Sequence, residues 1–298
     1  MWRRAVTALI FLALSGCGDA VRLEVVWDDC PNDDEKVYPG VCGCGVAEER
    51  CVPLKNALVH RYAFDGKGAV AVDDVGGADG TILNTELTGI GQLYLDRASD
   101  LEQFVDLPNG IISPLSSATF EAWVVWETPP TMPKPFWERI FDFGVSTAGE
   151  DLRESGKSYL FLAPGAPGTT PAMPRTAYRD ANSGGEVIVN GEHPFPIDTV
   201  FHVADVVDER AQLLRLYLNG VEEMPTTLVE PLSGIDDVNN WLGRSQFGVD
   251  TRFGGSFLEF RIYDQALTKA QLADSIALGP SPEFLEPKPA AQDVTGAP

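Results

Sequence analysis

The stretch Gly254-Gly255-Ser256-Phe257-Leu258-Glu259-Phe260-Arg261-Ile262-Tyr263-Asp264-Gln265-Ala266-Leu267 decides the fold. Two glycines open it, an alternating run follows, and an Asp-Gln turn closes it. Successive side chains of an extended chain point to opposite faces. Leu258, Phe260 and Ile262 therefore share one face, and Glu259, Arg261 and Tyr263 the other. Immediately after it, Thr268-Lys269-Ala270-Gln271 spells a capping box, with Leu267 and Leu272 spaced as the hydrophobic staple of a short final helix. A strand of this kind, so late in the chain, predicts the central closing strand of a sandwich.

Working outward, the same alternation recurs in short runs broken by Gly, Pro, Asn and Asp, which predicts an all-β architecture over residues 54–280. Ala118 to Trp126 is the strongest run. Phe120, Ala122, Val124 and Trp126 face one way, and Thr119, Glu121, Trp123 and Val125 the other. Further strands are predicted at Leu58–Phe64, Gln92–Leu95, Phe104–Leu107, Arg139–Phe143 and Tyr159–Leu162. Ala163 to Pro174, rich in Gly and Pro, reads as a surface loop. Asn190-Gly191 and Asn219-Gly220 follow apolar runs and predict hairpin turns, because both residue types accept positive φ at low cost. Residues 281–298 hold several prolines and few large apolar groups, and read as a flexible tail.

Hydrophobic residues make up 44% of the 298, enough for a sizeable core, while a formal net charge of −22 argues against nucleic acid and against electrostatic attraction to anionic lipid. Residues 1–16 read as a targeting segment: Arg3 and Arg4 precede an apolar run, Ala5 to Leu14, that is too short to span a bilayer. Leu14-Ser15-Gly16-Cys17 resembles the bacterial lipobox, which makes Cys17 the lipidated first residue of the mature chain; an ordinary secretory signal is the alternative. Gly18, in place of Asp, fits sorting to the outer membrane. A tether, 17–29, then leads to a cysteine-rich spacer, 30–51. In an exported protein Cys30, Cys42, Cys44 and Cys51 read as two disulfides. Three pairings are open, with Cys42–Cys44 the least favoured, and a zinc site is the rival reading.

Several motifs occur in order along 54–280: Tyr62-Ala63-Phe64-Asp65 with Asp73 to Thr81, Thr119 to Trp126, Phe201-His202-Val203-Ala204, Leu216 to Val221, Trp241-Leu242-Gly243-Arg244, and Gly255 to Leu267. Together they resemble the concanavalin A-like, laminin G-like jelly-roll family. The resemblance implies a sandwich of two antiparallel sheets, one of them concave. It also implies the roles in which that family is common, as an accessory or binding module on bacterial surface proteins and glycosidases. It further implies a structural calcium ion at the rim, with Asp65, Asp73 and Glu259 as ligands beside carbonyls from Val75 to Ala78. Leu258 stands where the family often has Asp.

Laminarinase-type relatives on this fold carry E-x-D-x-x-E on one strand face, and this chain lacks it. G-x-S-x-G, H-E-x-x-H and a P-loop are also missing. Glu121 and Glu259 are single carboxylates in apolar strands, Asp142 reads as a hydrogen-bonded strand residue, and His60, His193 and His202 are scattered. No catalysis is expected. Trp126 and Trp241 sit in alternating strands and read as core. Phe136 and Trp137, beside the proline-rich loop Pro129 to Pro135, are the candidates for ligand binding. The expectation is a lipid-anchored envelope protein that binds carbohydrate or a surface protein. A purely structural envelope component or a glycan-cleaving enzyme are the alternatives.

Overall fold

Alternating side chains sort the chain into two antiparallel sheets, seen in a computed structural model that describes residues 54–127, 137–168, 171–182, 185–228 and 230–280. The lipobox, the tether, the four cysteines of the spacer, Phe136 and the tail lie outside the described residues. Asn56–Pro280 forms one unit. In the first sheet β1 (Leu58–Tyr62), β18 (Gly255–Tyr263), β8 (Ala118–Trp126), β13 (Val200–Asp208), β14 (Leu213–Leu218) and β15 (Val221–Glu222) lie side by side. β6 (Leu93–Leu95) pairs with β18, and β16 (Thr226–Thr227) with β14. The second sheet runs β12 (Val187–Asn190), β11 (Met173–Arg179), β10 (Gly156–Ala166), β9 (Phe141–Ser146), β17 (Asn239–Leu242), β7 (Phe104–Leu107), β4 (Gly80–Leu83) and β3 (Val70–Ala71). β2 (Lys67–Gly68) and β5 (Leu87–Thr88) make a small separate ribbon.

The core between the sheets follows from the alternation. β8 contributes Phe120, Ala122, Val124 and Trp126, and the facing strands contribute Phe141, Phe143, Leu160 and Leu162. Phe141 and Phe143 stack with centroids 4.7 Å apart, and Phe120 lies against both. The closing strand is central, between β1 and β8, as predicted, but its inward face differs from the simple alternation. Opposite β8, Phe257 pairs with Val124 and Glu259 with Trp123, so Leu258 is the extra residue of a β-bulge. The inward series is Phe257, Phe260 and Ile262. A strict period of two cannot anticipate a bulge.

Two turn expectations divide. Asn219 and Gly220 take φ of 51° and 78° and join β14 to β15 as a hairpin. Asn190-Gly191 closes no hairpin: the chain leaves β12 and next enters β13 of the other sheet, while the Gly191 N–H donates to the Pro174 carbonyl. The expected loop from Ala163 also gives way to structure, because β10 runs on to Ala166, buried from Ser158 onward, and β11 begins at Met173. The final helix α1 (Lys269–Leu278) has the predicted capping box, with the Thr268 side chain accepting from the Gln271 N–H and Leu267 and Leu272 both buried.

Gly255 marks the start of the closing strand at φ 147°, and a Cβ there would stand 1.9 Å from the Val125 carbonyl oxygen. Only a residue without a side chain lets β18 approach β8 at this point. Gly255→Ala should therefore destabilise the domain by about 2 kcal/mol or more, read as a lower midpoint in urea.

Candidate functional site

On β10, Leu160 and Leu162 enter the core, so Tyr159, Phe161 and Ala163 face outward from the second sheet. Outward rings would ordinarily meet water. Here they form a second apolar cluster with Ala177, Trp137, Ile188 and Phe247. Phe161 meets Trp137 edge-on at 6.3 Å, and Tyr159 meets Phe247 edge-on at 5.5 Å. The rings line a cleft of about 330 Å³ whose polar groups are Arg139, Arg175, Glu186 and Asp250.

Trp137 is held in an unusual backbone state, φ 65°. A bulky non-glycine residue in the left-handed region persists only where its surroundings hold it there. Its N–H donates to the Gly165 carbonyl at 3.0 Å, and its carbonyl accepts from Arg139 Nη1 at 2.7 Å. Arg139 is the brace. Its guanidinium carbon lies 3.9 Å from the Phe161 ring centroid, Nε donates to Asp142 Oδ2 at 3.1 Å, and Nη2 donates to Asp250 Oδ2 at 2.8 Å. Asp250 also accepts from the Ser245 hydroxyl. Burial pushes the Asp142 carboxyl up to about 7, against the pull of Arg139 and of the Gln246 N–H. Burial likewise raises Asp250, with Arg139 opposing it.

At the other walls, the Tyr159 hydroxyl donates to Glu186 Oε1 at 2.7 Å. Burial, then Glu186, raises the phenol well above its ordinary value, so it stays a neutral donor. Arg175, on β11, lies with its guanidinium carbon 5.1 Å from the Trp137 centroid and donates Nε to Asn190 Oδ1 at 2.7 Å. A neighbouring cleft of about 310 Å³ shares Arg175 and is lined also by Pro167, Gly168 and Met173. Rings with apolar faces, edged by fixed donors and acceptors, suit a small ligand that is apolar on its faces and polar at its rim.

The structure places the other expected site residues elsewhere. Asp65 is exposed, Asp73 is buried, and Glu259 is buried beneath Arg61. Among the described residues no three His, Cys, Asp or Glu side chains group to hold a metal ion. Chain donors occupy the oxygens of Asp73 and Glu259. Asp73 accepts from the N–H groups of Arg61, Val75, Gly76 and Ala78 and bonds His60 at 2.7 Å. Burial opposes its ionisation, but the His60 bond and the backbone donors outweigh it and hold the carboxyl below its ordinary range. Glu259 receives Arg61 Nε and Nη2 at 2.7 and 2.8 Å. Glu121 and His202 meet at 2.7 Å under α1, both buried, and His193 lies against Glu223 at 3.0 Å. Trp126 and Trp241 are core, as expected. Of the expected ligand-binding pair, Trp137 reaches the cleft. Arg139, Tyr159, Phe161, Arg175 and Phe247 were missed. The one signal for them was a strand, Tyr159 to Leu162, apolar on both faces where a surface sheet should show one polar face.

A sequence profile of the concanavalin A-like lectin/glucanases superfamily matches residues 99–273. Domain 4 of a GH43 extracellular arabinanase from Geobacillus stearothermophilus, solved with arabinotriose, aligns at TM-score 0.52 and 21% identity, covering 73% of this chain and 97% of that one. A Trypanosoma rangeli sialidase aligns at TM-score 0.52 and 16% identity over 82% of this chain but only 34% of its own. The CBM40 of the Ruminococcus gnavus IT-sialidase, bound to α2,3 sialyllactose, aligns at TM-score 0.48 and 16% identity, covering 61% and 96%. At these identities the likeness is one of fold. No curated protein matches the chain.

Asp142 supplies a test of the brace. Its folded value of about 7 stands above the ordinary 3.8, so the folded state binds the proton more tightly than the unfolded chain. The stability it contributes is complete below about pH 4 and is lost as pH rises through about 7. Urea midpoints across that range should fall with pH for the wild type, and Asp142→Asn should lack this component.

Proposed function

The chain belongs to the concanavalin A-like lectin/glucanases superfamily, and on that premise we propose that it is a carbohydrate-binding module of the bacterial cell envelope. The observation that carries the reading is the ring-walled cleft on the outer face of the second sheet, with Trp137 and Phe247 as its partly exposed rings over the buried Tyr159 and Phe161. Pyranose and furanose rings expose C–H faces that pack on aromatics and hydroxyls that bond at the edges. Glu186 accepts such hydroxyls, and Arg175 donates to ring and hydroxyl oxygens. Arabinotriose in the arabinanase domain shows that a protein of this fold can be solved with an oligosaccharide, which supports the reading. The module acts by binding, without catalysis.

The membrane belongs to the same reading. Leu14-Ser15-Gly16-Cys17 supports lipidation at Cys17, and the stretch from Cys30 to Cys51 supports a disulfide-stapled spacer between anchor and module. Acidic composition keeps such a module soluble beside the membrane, and the outer membrane is the proposed site.

Two experiments check these claims. On a glycan array the wild-type chain should bind at least one oligosaccharide class. Trp137→Ala and Phe247→Ala should each weaken that binding by roughly tenfold at an unchanged far-ultraviolet spectrum. A wild type that binds no glycan would overturn the carbohydrate reading. In cells, Cys17→Ser should leave the precursor unprocessed or release the protein from the membrane fraction; normal processing with full retention would remove the anchor.

A further inference from the structure

We propose that the cleft selects a glycan bearing a carboxylate, with the carboxylate on Arg175 and its sugar ring against Trp137. The proposal rests on the carbohydrate-binding reading and narrows it. Four observations carry it.

The first is the state of the cation. Arg139, in the same cleft, is paired with Asp142 and Asp250, and Arg153, Arg244 and Arg261 also pair with carboxylates. Arg175 pairs with none among the described residues; its protein partner is the neutral amide of Asn190. A guanidinium beside an indole and matched to no carboxylate among the described residues is a charge awaiting a counterion.

The second is its geometry. The Asn190 bond at Nε and the Trp137 ring at 5.1 Å fix the guanidinium plane. The Nη pair is then a preset fork, and two parallel N–H···O bonds to a carboxylate are the pairing this fork makes best.

The third is the balance of charge around it. A chain of net charge −22 repels anions over most of its surface, so any anion must be held by a local cation. Asp250 opposes it less than a free carboxylate would, because Arg139 and Ser245 already bond its Oδ2. Glu186 receives Tyr159 on the far wall and serves as an acceptor for hydroxyls.

The fourth is position. Arg175 lines both clefts, so a carboxylate resting on it sits at their junction. The second cleft, between Pro167–Gly168 and Gly191, gives the glycan room to continue. The favoured ligand is an oligosaccharide.

Titration calorimetry of the full chain would use two families of probes: uronate oligosaccharides of the galacturonate, glucuronate and mannuronate–guluronate types, and sialyllactose. Each would be paired with its carboxyl-methylated form, which keeps the ring and removes the charge. The wild type should bind at least one acid tenfold or more tightly than its methyl ester, and added salt should shrink that ratio. Which family responds distinguishes uronate from sialoside. Arg175→Gln should abolish the acid-over-ester ratio, weakening the acid far more than the ester, whereas Trp137→Ala should weaken both and leave the ratio in place. Equal affinity for acid and ester, or an Arg175→Gln variant that keeps the preference, would overturn the proposal and leave the carbohydrate reading standing. Binding to neutral glycans alone would do the same. Binding to no glycan at all would overturn both.

Discussion

A buried ionic network on the outer face of the first sheet is the constraint on which the rest of the domain depends. Glu121 accepts from Tyr263 and Ser275 and bonds His202, while Arg261 reaches Glu259, Ser275 and the Gly279 carbonyl. Arg61 closes the network from β1 by gripping Glu259 with two nitrogens. These groups are buried, and charges in such surroundings are tolerable only when every one is matched. Burial opposes the ionisation of Glu121, yet the His202 bond and the Arg261 charge prevail and hold its carboxyl below the ordinary range. Helix α1 is the lid that makes this possible, since Ser275 supplies two of the bonds and Gly279 another. With α1 docked there, the first sheet spends its outer face on stability. The ring-walled cleft lies on the other sheet.

The same network also supplies positive charge at the rim. Carboxylates converging on the ends of β1 and β18 need positive charge, and calcium is one source of it. Arg61 is another, and its guanidinium reaches Asp74 at 2.9 Å as well as Glu259. The pattern of acids was legible in the sequence. Its partner was not, because Arg61 occupies an ordinary outward position of a strand and nothing in its neighbours shows which carboxylates will fold against it.

More generally, what a local period encodes was legible and what distant segments build was not. β8, β7, the Asn219-Gly220 hairpin and the capped helix were all written in short-range patterns. The bulge at Leu258 and the passage from β12 to β13 depend on partners far along the chain, as does the length of β10. The cleft shows the same limit. Trp137 was visible as an aromatic beside a proline-rich loop, but its companions come from β10, β11 and the segment after β17, and their convergence is a property of the sheet.

The left-handed backbone of Trp137 has a consequence for the thermodynamics of recognition. Its amide, its carbonyl and its ring are each fixed by a different neighbour, Gly165, Arg139 and Phe161. A wall already immobilised has little rotational freedom left to surrender when a ligand arrives, so the entropic cost of ordering falls mainly on the ligand. Affinity then depends on how stiff the incoming molecule is. Among ligands making the same contacts, those with restricted torsions should bind more tightly than flexible ones, and the gain should lie in the entropy of association.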